Sequence, residues 1–379
     1  LRLGWPAPPD PQQAVDDAEY DLAVLESAWK QPKDSARGVG RYLVDANPHL
    51  ATSLRARYKR WRKKEWCEVD GLIWEPELLD PHRLNNRVYS ATALERFAAC
   101  PYRFYLHSIY GLTPRQQVAA IEQMDPKTRG TIFHDLLHEL VIELRAQDLL
   151  PLHAIRLERA LSVADTVVDR VGDKWAADLA PAIPRVWQSE LDDLRFDLRG
   201  WVRHCAVAVH QWEPVDSELA FGDPPIELFG KVKLRGRVDL VEKGNGGIYR
   251  VTDLKTGRKP DKPPTFVGGG RTLQPALYAM ALEQIKDAPV QEGRLFYCTH
   301  RGGFDEVPIK LIEATRAKAE RAVEIIGEWV EEGFLPPAPA EDECSRCDYR
   351  LVCGPYEELR LKKKPAKPLS GLVELRGMP

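Results

Sequence analysis

Between Val232 and Leu240 apolar and charged residues take turns. Val232, Leu234, Val238 and Leu240 stand among Lys233, Arg235, Arg237 and Asp239, and a period of two predicts a half-buried strand. Gly244, Asn245, Gly246 and Gly247 predict a turn, and a second strand is expected from Ile248 to Lys255. Elsewhere the period is helical. Tyr20, Leu22, Leu25 and Trp29 predict a helix over 17–30, and Leu54, Tyr58 and Trp61 a second one with a cationic face. Leu94 and Phe97 mark a helix opened by Ser90 or Thr92, with Glu95 completing a capping box from Thr92. Leu136, Leu137, Leu140, Val141 and Leu144 form the buried stripe of a helix that starts near Gly130. Residues 142 to about 216 are expected to be all-helical, anchored by Trp175, Trp187, Trp201 and Trp212. A Gly/Pro-rich loop (257–271), a helix (272–285), a strand (295–300) and a long amphipathic helix (311–332) follow.

A chain of 379 residues can hold two or three domain-sized units. No apolar run approaches the roughly 20 residues that span a bilayer, and no signal-peptide pattern is present. The net charge of −3 argues against a uniformly basic coat, so local clusters matter more. Seven of the ten residues from Arg55 to Lys64 are basic, and Lys362, Lys363, Lys364 and Lys367 form a second cluster; both could touch phosphate. Seven cysteines, an odd number without a secretory signal, read as reduced cytoplasmic thiols. There is no phosphate-binding loop for ATP, so a motor would have to lie outside this chain. The first residue is Leu1 rather than Met, which suggests a piece of something longer.

Asp253 and Lys255 are two residues apart on the predicted second strand and so share a face. The hairpin is expected to bring Asp239 beside them. Charges on an exposed hairpin face are usually only solvated. Here, however, the D-x-K pair closes a strand just before Thr256 and Gly257, and two carboxylates with a lysine suit a divalent cation that activates water. His134 and His138 lie one helical turn apart, as do Gln274 and Tyr278. Cys344, Cys347 and Cys353 follow a C-x2-C-x5-C spacing, which points to a metal. Three ligands leave a tetrahedral site incomplete, and the fourth candidate is Cys100, between a helix end and Pro101. Four thiolates fit zinc as well as an iron–sulfur cluster.

Taken in order, these motifs resemble the PD-(D/E)XK nuclease superfamily, RecB-like branch, and within it the iron–sulfur nuclease domain of AddB-type helicase–nuclease subunits. The carriers are LERFAACPYRFY with Cys100, G-x-x-x-H from Gly130 to His134, GRVD ending at Asp239 and DLKTG from Asp253 to Gly257. Gln274 and Tyr278 in Q-x-x-x-Y and the terminal cysteines complete the set. Residues 66–80 are similar to the connector that precedes such domains.

The resemblance implies a restriction-endonuclease-like α/β fold. It would have a mixed β-sheet core flanked by helices, a large helical insertion at about 142–216 and an iron–sulfur staple. It places an accessory segment at 1–88, the nuclease domain at 89–355 and a basic tail at 356–379. His134, Asp239, Asp253 and the backbone carbonyl of Leu254 would hold Mg²⁺ or Mn²⁺, with Lys255 orienting or deprotonating the attacking water. Gln274 and Tyr278 would steady the DNA. Glu218 matches an acidic residue that the family often has upstream, and His138 stays structural.

Cys100, Cys344, Cys347 and Cys353 would hold a 4Fe–4S cluster, closing a long loop of chain. The implied activity is a cytoplasmic, metal-dependent DNA nuclease. It would cut single-stranded DNA while processing double-strand-break ends, with a helicase subunit or upstream helicase region as partner and no membrane. A free-standing exonuclease of the CRISPR-adaptation type shares these motifs. A non-catalytic iron–sulfur DNA-binding module, or a redox sensor, is the reading from another class.

Overall fold

A computed structural model describes residues 7–32, 34, 36–62, 65–114, 124–207, 212–354 and 356–379. Lys63 and Lys64, counted in the first basic run, lie outside the described residues. The chain divides into two compact units, Leu1–Leu72 with Lys362–Pro365, and Ile73–Leu361 with Ala366–Pro379.

The first unit contains α1 (Asp17–Lys30), α2 (Ala36–Ala46) and α3 (Pro48–Arg62). Asp16 starts α1 by accepting the Glu19 N–H, satisfying one of the donors a helix leaves open at its N-terminus. On α3 the face expected to be apolar and covered is open: Leu54 is 47% and Tyr58 63% exposed. Of the second basic cluster, Lys364 is buried, its ammonium 2.6 Å from Asp70 and 2.9 Å from the Glu65 carbonyl. A lysine held this way cannot face phosphate, which corrects its expected role.

The second unit opens with β1 (Val88–Tyr89), α4 (Ala91–Ala99) and α5 (Pro101–Phe104). Ser90, not Thr92, caps α4 by accepting the Ala93 N–H. Next come α6 (Pro126–Ala146), α7 (Leu157–Leu179) and α8 (Pro184–Val207). The stretch expected to be helical to about 216 is a strand from Trp212, which opens β2 (Trp212–Leu228). Pro214 cannot donate within a helix, and the Trp212 ring lies under the Arg250 guanidinium at 4.5 Å.

The expected hairpin is β3 (Val232–Gly244) and β4 (Tyr249–Lys255). It is followed by α9 (Gln274–Lys286), β5 (Val290–Tyr297), β6 (Asp305–Lys310) and α10 (Glu313–Glu331). Three short helices close the unit: α11 (Arg350–Cys353), α12 (Glu357–Leu361) and α13 (Ser370–Arg376).

These strands form one mixed sheet in the order β1-β3-β4-β5-β6, with β2 on the other edge of β3. β1 with β3, and β4 with β5, run parallel; the other pairs are antiparallel. Helices α6–α8 cover one face, where Leu136, Leu140, Trp201 and Leu198 pack with Leu240, Leu254 and Phe296 of the strands. Helix α9 packs on β4 and β5. It comes close because Gly293 has no side chain: a Cβ there would lie 2.2 Å from the Pro275 carbonyl oxygen. With Leu254 facing α6–α8, strand alternation turns Asp253 and Lys255 toward α9. None of the helices among the described residues is long and apolar enough to cross a membrane.

Candidate active site

The β3–β4 pairing runs from Lys243 opposite Tyr249 to Leu240 opposite Thr252. Just beyond its last pair stand Asp239 and Asp253. There the Asp239 carboxylate takes over from the ladder, its Oδ2 accepting the Leu254 N–H at 2.8 Å. Its other oxygen, Oδ1, lies 3.6 Å from His134 Nδ1. His134 comes from α6, whose neighbouring Ile132, Phe133, Leu136 and Leu137 are buried and fix the rotation of the helix. One turn earlier, Gly130 brings α6 against Thr256: a Cβ there would lie 3.4 Å from its hydroxyl.

Glu218 on β2 completes a tight group. Its Oε1 is 3.8 Å from His134 Nδ1, and one ligand atom each from His134, Glu218 and Asp239 lie within 4.8 Å of one another. Glu218 lies between the pairs Ser217–Leu240 and Leu219–Val238, and so opposite Asp239. Its φ of 53° is left-handed, a conformation that costs a non-glycine residue about 1–3 kcal/mol and is commonest at functional sites. By sequence pattern alone this residue held only a secondary place.

Asp253 is buried. Its Oδ1 accepts from Gln274 Nε2 at 2.9 Å. Its other oxygen, Oδ2, is buried and ion-paired with Lys255 Nζ at 2.6 Å. Burial raises the Asp253 carboxyl to about 6, against the pull of Lys255. Burial alone would lower Lys255, yet Asp253, Glu95 and Asp239 together hold its ammonium above the ordinary lysine range. For His134, too, desolvation works downward, and the nearby Asp239 and Glu218 carboxylates overcome it to raise the imidazole to about 10. Without a cation, His134 is therefore an imidazolium held by two carboxylates.

The donor set of two carboxylates and an imidazole, with the buried Asp253 carboxylate as a further oxygen source, fits a hard divalent cation such as Mg²⁺ or Mn²⁺. The cation would have to displace the His134 proton.

The other expected residues take these places. Gln274 holds Asp253. Tyr278 is buried, with its ring edge-on to Phe221 at a centroid distance of 5.1 Å. The glycine of GRVD now has a reason: a Cβ on Gly236 would lie 2.4 Å from the Tyr278 hydroxyl. His138 bonds Ser217 at 2.8 Å, away from the trio.

Sequence reasoning missed Glu95, which it assigned to its own helix cap. Its Oε1 instead accepts the N–H groups of Leu273 and Gln274, at 2.8 and 2.9 Å, and so caps α9. Desolvation raises its carboxyl to about 7, although Gln274 N–H and Lys255 pull it down. The available signal was an acid among Ala91, Leu94 and Ala98, on the apolar face of α4.

Cys100, Cys344, Cys347 and Cys353 line one cavity, together with Tyr102 and Tyr349. Burial, then Glu358 and the neighbouring Cys100 and Cys347, push the Cys344 thiol up to about 12. Among the described residues no three of these sulfurs lie within 4.8 Å of one another.

Residues 88–354 match the sequence profile of the PD-(D/E)XK nuclease superfamily. The chain is also similar to bacterial proteins that are each named as one subunit of an ATP-dependent helicase/deoxyribonuclease. That of Thermoanaerobacter sp. (strain X514) is 26% identical over 259 residues, 62% of this chain and 22% of the relative. That of Acetivibrio thermocellus is 29% identical over 226 residues, 55% of this chain and 19% of the relative. That of Clostridium perfringens is 26% identical over 303 residues, 73% of this chain and 24% of the relative. The chain thus spans no more than about a quarter of the length of these curated relatives.

Proposed function

The chain belongs to the PD-(D/E)XK nuclease superfamily, and from that membership we propose that it is a metal-dependent deoxyribonuclease hydrolysing phosphodiester bonds of single-stranded DNA. The observation that carries the reading is the meeting of His134, Glu218 and Asp239 within 4.8 Å, beside a buried Asp253 paired with Lys255.

In this reading His134, Asp239, Asp253 and the Leu254 carbonyl hold Mg²⁺ or Mn²⁺, with Glu218 as a further acidic donor. When bound, the cation supplies Lewis-acid charge to a phosphate oxygen and lowers the pKa of the attacking water. Lys255, paired with Asp253 at 2.6 Å, would orient or deprotonate that water and offset charge developing on the phosphate. Gln274 keeps one Asp253 oxygen occupied, leaving the other for its partner in the site. Tyr278 supports the backbone around Arg237, and Gln274 and Tyr278 together steady the strand-binding side.

The relatives' names add a setting. They join a helicase and a deoxyribonuclease in one ATP-dependent enzyme, so the reading places this chain in processing of double-strand-break ends, in the cytoplasm, beside a helicase subunit or region. For the cysteines we propose a 4Fe–4S cluster. Four of them line one cavity. A cuboidal cluster would spread its thiolates over four irons, and three of the four come from the C-x2-C-x5-C stretch that follows the nuclease core. Iron and labile sulfide in anaerobically purified protein test that part.

The activity itself is tested by incubating end-labelled single-stranded DNA with the protein in Mg²⁺ and in EDTA. Cleavage in Mg²⁺ alone is expected; cleavage undiminished in EDTA, or none under either condition, would overturn the proposal.

A further inference from the structure

Helix α9 has no cap of its own. Its N-cap residue is Leu273, whose side chain accepts nothing, and Pro275 contributes no N–H. The first turn of a helix leaves its N–H groups without partners, and here α4 supplies the acceptor. Glu95 Oε1 takes the Leu273 N–H at 2.8 Å and the Gln274 N–H at 2.9 Å. On the other side Gly293 of β5 lets the Pro275 backbone settle against the sheet, with no room for even a Cβ between them. The start of α9 is therefore pinned from two directions. The side chain it carries there is Gln274, whose Nε2 donates to Asp253 Oδ1 at 2.9 Å.

We propose that Glu95 is a positioning residue for DNA cleavage: by capping α9 from a neighbouring helix it holds Gln274 on Asp253. The inference rests on the reading of Asp253 as part of the cleavage site. Without the carboxylate, two amides at a half-buried helix start lose their partner, and the first turn frays. Gln274 then leaves Asp253, whose Oδ1 loses its anchor, and the carboxylate is free to turn out of place about its remaining contact with Lys255. Glu95 itself touches no reacting atom; its effect passes through backbone, then side chain, then carboxylate. An ångström of misplacement transmitted this way costs about 10²-fold in turnover.

The test compares Glu95→Ala, Glu95→Gln, Gln274→Ala and the Glu95→Ala/Gln274→Ala double variant, with Asp253→Ala as reference. Two readouts are taken: amide hydrogen exchange at Leu273 and Gln274 in metal-free protein, and kcat and KM on labelled single-stranded DNA with Mg²⁺. The glutamine carbonyl can accept both amides. Glu95→Gln should therefore keep them protected and hold kcat within about tenfold, whereas Glu95→Ala should expose them and lose about 10²-fold in kcat with little change in KM.

Because both residues act along one path, the double variant should be no slower than the slower single. Losses that multiply, wild-type kcat in Glu95→Ala, or a Glu95→Gln variant as slow as Glu95→Ala, would each overturn the proposal. Should Glu95→Ala fail to fold, Glu95→Gln decides alone: protected amides with near-wild-type kcat support the cap, and exposed amides or a 10²-fold loss refute it. If Asp253→Ala cleaves like wild type, the reading of the site has failed; if it is inactive while Glu95→Ala is unimpaired, only this inference has.

Discussion

The Nδ1 of His134 lies 3.6 Å from the Oδ1 of Asp239, one residue on a helix and the other at the end of a strand ladder. Glu218 stands on the imidazole's other side at 3.8 Å. Three negative or basic groups at these distances repel or pair unless a positive charge sits among them. A proton on His134 serves in the metal-free protein, and a divalent cation can replace it.

That exchange sets a pH dependence. In metal-free protein His134 has a folded-state value of about 10, above the roughly 6.5 of an unfolded histidine. Its contribution to stability is therefore fully present below about 6.5 and is lost as pH rises through about 10. Thermal unfolding in EDTA should show Tm falling from pH 7 to 10. Mg²⁺ affinity should move the other way, gaining up to about tenfold per pH unit over the same range as the competing proton is lost. Calorimetric titration checks the second trend, and a pH-independent affinity would argue against His134 as a ligand.

Lys255 and Asp253 should differ in what their loss does. Lys255→Ala removes charge needed as the phosphate becomes more negative and should lower kcat by about 10²–10³-fold with the cation still bound. Asp253→Ala should abolish cleavage and weaken cation binding as well. Single-turnover cleavage beside Mg²⁺ titration of each variant separates the two effects.

Much of this site was legible as spacing. The period of two around Asp239, the D-x-K pair and the turn between them follow from local backbone preferences, and β3 and β4 fold accordingly. What spacing could not carry was contact between distant segments. Glu95 fits a capping box on its own helix, and only packing of α4 against the start of α9 shows which amides it meets. Glu218 owes its place to a left-handed kink opposite Asp239, which no composition rule predicts for a glutamate. Trp212 was assigned to a helix because tryptophans recur before it, whereas Pro214 and the Arg250 guanidinium draw it onto a strand.

Gly236→Ala is the sharpest test of packing at the site. A methyl there would sit 2.4 Å from the Tyr278 hydroxyl, so Tyr278 or β3 must shift, at a cost of about 1–3 kcal/mol. Urea unfolding should report that loss, and cleavage should fall with it. A Gly236→Ala/Tyr278→Phe double variant should recover little, because the ring carbon Cζ of residue 278 at 2.6 Å and Phe221 Cζ at 2.9 Å would still meet the methyl.

Cysteine replacement probes the other proposed metal. Binding energy of a metal held between Cys100 and the three late cysteines becomes folding energy, and the loop they close is long. Cys344→Ala should lose iron, lower Tm by about 10 °C and weaken DNA binding, while Mg²⁺ binding at His134 and Asp239 persists in the folded fraction. Unchanged Tm and full DNA affinity would contradict the staple.

The central claim is that His134, Asp239 and Asp253 hold one divalent cation. Mn²⁺ titration followed by electron paramagnetic resonance, on wild-type protein and on Asp239→Ala shown to be folded by circular dichroism, tests it most directly. The expected result is one Mn²⁺ bound by the wild type and at least about a tenfold loss of affinity in the variant. Equal affinity in the two proteins would contradict the claim.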